Sequence, residues 1–435
     1  MVMALRRIEP EVVWTPRRSE VNPAMYVDRP ELETQLNRFL RQNTNILIHG
    51  ESGSGKSWLY RSVLDKLGAH LAVGNLANAS RLGSITAEIT NLLNREQEAR
   101  KVGYDETKKA KLSTGLLGSE LEHQGHYQIG EPEPFEALVI ALRKRAGGRA
   151  TVVLALDNLE AIRDNESLMQ ELANLIILLD DGRYARHGVK LLLVGVPGDV
   201  RSYFSQTPNR QTVVNRLSEL REVSRLTHDQ ARELVIRGFK EQLHYRFEPG
   251  SMDRIVNHII WVTDRIPQRI HEYCLELAYL AEAHNHELRE EQLVSADARW
   301  LSNSLSNSYS VIENLMNERE TRIGRRNQVL YALGQSTEPE IRYTSIEEIV
   351  RREFPASTAE RTLNISGMLS ELSSEEAGLL KRSPKGDSYV FHDPKYRMCL
   401  RSMLVFDKEA GRVLKRTVEE SGERIHVEEV SDTLE

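Results

Sequence analysis

Along the first half of the chain, apolar positions alternate between two rhythms. Short runs at residues 46–48, 70–76, 151–156 and 189–194 read as strands. Continuous apolar runs such as 151–156 suit parallel strands buried on both faces. Between them lie helical periods. Residues 31–41 carry the stripe Leu32, Leu36 and Leu40, with a proline and acids at the start. Residues 58–64 follow with helical spacing, and 83–94 form another candidate. Residues 135–145 carry Leu138, Ile140, Ala141 and Leu142, and 168–179 close on Asp180-Asp181-Gly182. Strands alternating with helices up to Val194 imply a parallel α/β sheet.

Beyond Val194 the rhythm becomes helical. Residues 213–226 lead to a helix over 228–240 capped by Thr227, then to amphipathic helices over 252–262 and 267–283. This all-helical region reads as a lid. Residues 287–324 are polar, helical in part, and read as a connector. Short helices are then expected over 327–333, 345–354 (with Ser345 and Glu348 as a capping-box pair) and 357–372. Two short strands around a Pro/Gly turn follow within 378–391. Three helices and a hairpin make a winged helix. The tail from Asp407 is charged, with 413–418 and 424–430 as candidate pairing strands.

The strand at 46–48 runs into Gly50-Glu51-Ser52-Gly53-Ser54-Gly55-Lys56-Ser57-Trp58. This is the G-x-x-x-x-G-K-[ST] phosphate loop between a strand and a helix. Its glycines let backbone N–H groups turn onto phosphate oxygens. Lys56 is placed for the β and γ phosphates, Ser57 for Mg²⁺, and the helix start adds the positive end of its dipole. The apolar run at 151–156 ends in Asp157. An acid at the carboxyl end of a buried strand lies where such sheets bind ligands, so Asp157 is the expected partner of Ser57 around Mg²⁺. The ligand is ATP or GTP.

Composition narrows the picture. With 435 residues, two or three domains are expected. A net charge of −6 excludes a generally basic nucleic-acid coat protein while leaving room for local basic patches. Cys274 and Cys399 have no metal-ligand spacing and suit reduced intracellular thiols. No apolar run reaches membrane-span length and the N-terminus lacks a signal-peptide core, so a cytoplasmic protein without membrane contact is expected. The stretch 95–130 is charged, then polar and glycine-dotted. It reads as a solvated insert or as a contact loop for a polymer or neighbouring subunit. His123 and His126 within it read as loop surface.

Placed in order, these pieces resemble an AAA+ ATPase of the origin-recognition/STAND-related kind with a C-terminal winged helix, over roughly residues 26–403. The resemblance implies an N-terminal arm (1–24), an AAA+ core (25–226), a helical lid (227–300), a connector (301–324), a winged helix (325–406) and a charged tail (407–435). Tyr26-Val27-Asp28-Arg29 resembles the adenine-side motif, with Tyr26 and Val27 as base contacts. Asp157 matches the acidic strand end, but the glutamate that polarises the attacking water is replaced by Asn158. Glu160 is the alternative group for that task, and slow hydrolysis is expected. Gly195-Val196-Pro197 occupies the first sensor position without a polar group. Arg216 resembles an arginine finger that acts on a neighbouring subunit. Ile266-Pro267-Gln268-Arg269 resembles the second sensor turn, with Arg269 as its cation.

Two functions remain open from the sequence. One is an ATP-controlled switch that self-assembles and signals to a protein effector or DNA-processing partner, as ATPases of this build do in antiviral defence and mobile-element control. The other is a DNA-binding initiator or loader that grips duplex through the winged helix. Against the second, the helix expected over 357–372 has one arginine, Arg361, beside Glu360 and Glu371, and only the wing around Lys381, Arg382 and Lys385 is basic. A metabolic P-loop kinase would leave the lid and winged helix without a role. No nuclease, protease or deaminase signature is present.

Overall fold

The computed structural model describes residues 8–42, 44–98, 133–148, 151–195, 204, 210–316, 324–383, 386–409, 411–418 and 425–428. The chain divides into two compact units. One comprises residues 19–21 and 28–224; the other comprises 1–18, 22–27 and 225–435.

The first unit is a five-stranded parallel sheet. Its strands are β1 (Asn45–His49), β2 (His70–Asn75), β3 (Val152–Asp157), β4 (Val189–Gly195) and β5 (Leu217–Glu219), in the spatial order β2-β3-β4-β1-β5. Successive side chains alternate between faces. Leu47, Leu154, Leu156, Leu191 and Leu193 therefore join the core under the helices Ile85–Glu98, Pro134–Ala146 and Glu166–Leu178. Ile46, Ile48, Val153, Ala155, Leu192 and Val194 join the core under Pro30–Arg41 and Lys56–Lys66. Burial on both faces is why these strands are continuously apolar. Each such side chain contributes about 1.5–3 kcal/mol by leaving water.

Two local readings change here. Residues 213–226 are not helical throughout, because β5 pairs in parallel with β1, Asn45 opposite Leu217 and Leu47 opposite Glu219. Leu217-Ser218-Glu219 alternates too briefly to show as a strand, and its ladder comes from β1. Gly83 does not open a helix. It closes Leu76–Leu82 in the left-handed conformation (φ 69°), and Ile85–Glu98 begins afresh beyond it.

The second unit is mainly helical. Thr227 caps His228–Ile236 in a full capping box with Gln230. That helix continues as a π-helical turn, Arg237–Gln242, and Met252–Val262 and Pro267–Glu282 follow. A two-residue parallel pair, Arg246–Phe247 with Glu287–Leu288, interrupts the all-helical expectation. Pro10–Val13 is helical, and Trp14 is 1% exposed against Phe239 and His271. A side chain on Gly238 would overlap the Trp14 ring, since its Cβ would lie 2.1 Å away. Thr15 N–H donates to His271 Nδ1 at 3.0 Å, and burial lowers the His271 pKa to about 4.

Helices Arg325–Gln335, Tyr343–Glu353 and Ile365–Leu372 lead into the antiparallel hairpin Leu380–Arg382/Tyr389–Phe391, with Ile341 forming an isolated antiparallel bridge to Tyr389. Three helices followed by a hairpin is the element order expected there. The expected capping box does not form: Tyr343–Glu353 starts two residues before Ser345, whose hydroxyl donates to Glu338 instead. The expected helix over 357–372 is two pieces, because Glu360 and Asn364 adopt left-handed conformations between them. A three-stranded antiparallel sheet, Leu404–Asp407, Arg412–Val418 and Ile425–Glu428, leads into and runs along the charged tail.

One buried carboxylate ties much of this unit together. Asp264, itself left-handed at φ 52°, accepts from Arg225, from Arg397 at 3.2 Å and from Arg401 at 3.1 Å. Burial lowers the Arg401 pKa to about 10, with Asp264 opposing that shift. Most of the insert expected over 95–130, including His123 and His126, lies outside the described residues, as do Val196, Pro197 and Lys385. No helix among the described residues is long and apolar enough to cross a membrane.

Candidate nucleotide-binding site

The phosphate loop springs from the carboxyl end of β1 and enters the helix Lys56–Lys66 through Gly55, a left-handed N-cap (φ 92°). Its first glycine is fixed by a close approach. A Cβ on Gly50 would lie 2.3 Å from the carbonyl oxygen of Val223, which lies just past β5. That segment is held alongside β1 by Leu220 N–H to Leu47 O at 2.9 Å and Val223 N–H to His49 O at 2.8 Å. Only glycine fits there.

From behind, Arg29 supports the loop. It is 8% exposed, and donates through Nη2 to Ser54 O at 2.7 Å and through Nη1 to Ser224 O at 2.9 Å. Lys56 Nζ donates to the loop's own carbonyls, Gly50 O at 2.7 Å and Glu51 O at 3.0 Å. Burial lowers its pKa, while Glu160, Asp157, Glu51 and Glu222 oppose the shift. A half-buried ammonium whose hydrogen bonds go to carbonyl oxygens is matched to an incoming anion, which would give it a direct counter-charge.

Ser57 Oγ donates to Asp157 Oδ2 at 3.1 Å. The sheet brings these two residues together although they are a hundred positions apart in the chain. Their oxygens are the hard donors that Mg²⁺ takes, and water and phosphate can complete its shell. The residues present therefore fit a Mg²⁺-nucleotide. Glu51, Ser52, Gly53 and Trp58 complete the expected stretch; Gly53 is left-handed at φ 80°. Ser54 is fully buried.

Next to Asp157, Asn158 stands in the left-handed region at φ 64° and opens the turn Leu159–Ile162. Its backbone N–H donates to Asp157 Oδ1 at 2.9 Å, and its Nδ2 to Asn75 Oδ1 at 2.9 Å. Asn75 stands opposite Asp157 in the β2–β3 register and caps Leu76–Leu82 through Ala77 N–H at 2.9 Å. Its own N–H donates to the buried Glu88 at 3.2 Å. The sequence reading missed Asn75, Glu88 and the role of Arg29. An asparagine between an apolar run and a helix was the one available sign, since that is the N-cap pattern. Glu160 is exposed on the turn, and it is the foremost of the carboxylates acting on Lys56.

The remaining expected residues lie elsewhere. Arg216 immediately precedes β5, and its carbonyl accepts Asn45 N–H at 3.2 Å. It therefore stands at the amino edge of the sheet, about 16 Å along β1 from the loop of its own chain. Tyr26 and Val27 group with the second unit, where the Tyr26 carbonyl accepts Arg237 Nη1 at 2.7 Å and Val27 is buried. Arg269, 7% exposed, is bound at two points by Glu272, at 2.7 and 2.8 Å. Its guanidinium is thus already neutralised within that unit. Gly195 closes β4 opposite His49.

A parallel sheet with one strand inserted between the loop-bearing strand and the acid-bearing strand, and a fifth beyond it, defines a P-loop fold of the AAA+ type. Residues 40–204 match the family model of the AAA domain. The chain is also similar to solved structures. A Walker-type ATPase of Pyrococcus abyssi is 15% identical, covering 88% of this chain and 99% of that one with a TM-score of 0.47. The ORC1 protein of Aeropyrum pernix, solved with DNA, is 16% identical over 91% and 96% with a TM-score of 0.43. Cdc6p of Pyrobaculum aerophilum is 16% identical over 90% and 96% with a TM-score of 0.42. Likenesses this distant say nothing of substrate or partner. No curated protein matches the chain.

Proposed function

We propose that this protein is an ATP-binding, slowly hydrolysing AAA+ switch that self-assembles and regulates a protein effector or DNA-processing partner in the cytoplasm. One observation carries the reading: Ser57 and Asp157 meet at 3.1 Å, while the next residue is Asn158, bound to Asn75. Gly50 to Ser57 with Trp58 would cradle the phosphates, Lys56 would neutralise them, and Ser57 with Asp157 would hold Mg²⁺. The metal screens phosphate charge when bound. Asn158 orients through its amide but takes no proton at neutral pH, which leaves Glu160 to polarise water from an exposed turn. Tyr26, Val27 and Arg269 would report the base and lid position, and Arg216 would reach a neighbouring copy's nucleotide. Antiviral defence or mobile-element control is the setting in which ATPases of this build serve as switches.

Light scattering after size exclusion tests this, with and without ATP·Mg²⁺ and duplex DNA, on wild type and Lys56→Ala. Assembly that needs nucleotide alone and is lost in Lys56→Ala supports the switch. Steady-state turnover of many per second refutes it.

A second reading, an initiator or loader on duplex DNA, draws support from exposed Lys381 and Arg382 on the hairpin. The helix Ile365–Leu372 has no cation, and its Glu371 pairs with Arg326. Phosphate contacts by the wing without base reading are what this charge pattern supports. Assembly that requires DNA and weakens steeply with salt would favour the loader.

A further inference from the structure

The amino edge of the sheet carries a pocket that the nucleotide site does not use. It has a volume of about 230 Å³ and is lined among others by Thr44, Asn45, Asp180, Lys190, Asn215 and Arg216. Two cations and one acid face a polar space. Lys190 is occupied, donating to the Gln42 carbonyl. Arg216 is held from two sides: its Nε lies 2.5 Å from Asp180 Oδ2, and its Nη1 donates to Thr212 O at 2.8 Å. Its Nη2 has no hydrogen-bond partner among the described residues. A guanidinium hydrogen-bonded through Nη1 and ion-paired with Asp180 keeps Nη2 for a further acceptor.

We propose that Asp180 is a positioning residue: it orients Arg216 so that Nη2 is presented to the terminal phosphate of a nucleotide held by a second copy of this chain. The inference rests on the reading of Arg216 as a finger acting between copies. Asp180 is half-exposed and belongs to the turn after Glu166–Leu178. A single exposed ion pair is weak, so its loss loosens the finger without removing it. Turnover should fall about tenfold, against a loss of about a thousandfold for deleting a finger.

The test is complementation at saturating ATP·Mg²⁺. An Arg216→Ala chain keeps its nucleotide pocket but lacks the finger; a Lys56→Ala chain keeps the finger but cannot use ATP. Neither turns over alone, and mixing restores activity. With Lys56→Ala/Asp180→Ala as donor, the restored kcat should fall about tenfold with KM for ATP unchanged, while Asp180→Glu in the donor restores most of it. Melting temperatures of all donors should coincide. Equal or greater rescue by the Asp180→Ala donor overturns the positioning role. Wild-type turnover by Arg216→Ala alone, or no rescue in a mixture that light scattering shows to co-assemble, overturns the finger reading itself; a mixture that does not co-assemble around the nucleotide of the Arg216→Ala chain overturns the self-assembly reading on which it rests.

Discussion

If the protein is the slow switch proposed above, replacing Asn158 by glutamate should make it a faster hydrolase while making it less stable, and the two effects can be sized separately. Asn158 sits at φ 64°, which asparagine tolerates and glutamate does not; the change costs about 1 kcal/mol. It also removes the Nδ2 donor to Asn75 Oδ1 at 2.9 Å, worth about 1 kcal/mol. Asn75 cannot turn its amide to compensate, because the same oxygen caps Ala77 N–H. The sum of about 2 kcal/mol lowers the melting temperature of a domain this size by about 6 °C. Against this, a carboxylate beside Asp157 supplies a base, and general-base catalysis is worth about 10²-fold or more. Phosphate release under saturating ATP should therefore rise about a hundredfold, about 2.7 kcal/mol of barrier, as the melting curve shifts down. Unchanged turnover, in a variant that still binds ATP with wild-type affinity, would refute the idea that this position limits hydrolysis.

Three further outcomes are expected. Arg29→Ala should weaken ATP binding about tenfold in a fluorescent-nucleotide titration, and Arg29→Lys should recover only part of it, because a point-like ammonium does not reproduce the two separate guanidinium nitrogens that meet Ser54 O and Ser224 O. Glu171 is driven up by burial. The Thr86 hydroxyl, the N–H groups of Ile85 and Thr86 and the Ser84 hydroxyl outweigh that burial and hold its pKa down. A depressed acid stabilises above its unfolded pKa and loses that contribution as pH falls through the folded value. Glu171→Gln should thus cost about 1.5 kcal/mol at neutral pH in urea melts, with the gap to wild type closing below about pH 4. Asp264→Asn keeps the left-handed backbone but leaves Arg225, Arg397 and Arg401 without their shared charge, so it should destabilise the C-terminal unit by about 3 kcal/mol by calorimetry.

What the sequence disclosed depended on how locally each feature is encoded. The strands at 46–48, 151–156 and 189–194 are buried on both faces, so burial is written as an unbroken apolar run and needs no partner to be read. β5 is three residues long, and what makes it a strand is β1 beside it; no pattern within Leu217-Ser218-Glu219 carries that information. Helix interiors were legible and their ends less so. Gly83 can sit before, inside or after a helix, and only its φ of 69° settles that it ends one. Ser345 and Glu348 have capping-box spacing, but Glu338 takes the serine hydroxyl and the helix starts earlier.

The site divides along the same line. Gly50 to Ser57 is contiguous, so its chemistry shows in eight letters, and Asp157 shows as the acid closing a buried strand. Arg29 reads only as the end of the Tyr26-Val27-Asp28-Arg29 stretch until the fold puts the carbonyls of Ser54 and Ser224 in front of it. Asn75 reads as a helix cap, and it is one; that same oxygen also fixes Asn158. A residue whose partner is supplied by strand register is invisible until the register is known, because neighbouring strands are far apart in sequence. Asn75 and Asp157 face each other across β2 and β3 with 76 intervening positions between β2's end and β3's start. The asparagine at 158 is therefore not a lone departure from an acidic position. It is paired with an acceptor amide on the next strand, and that pairing is what the proposed role of holding nucleotide over consuming it rests on.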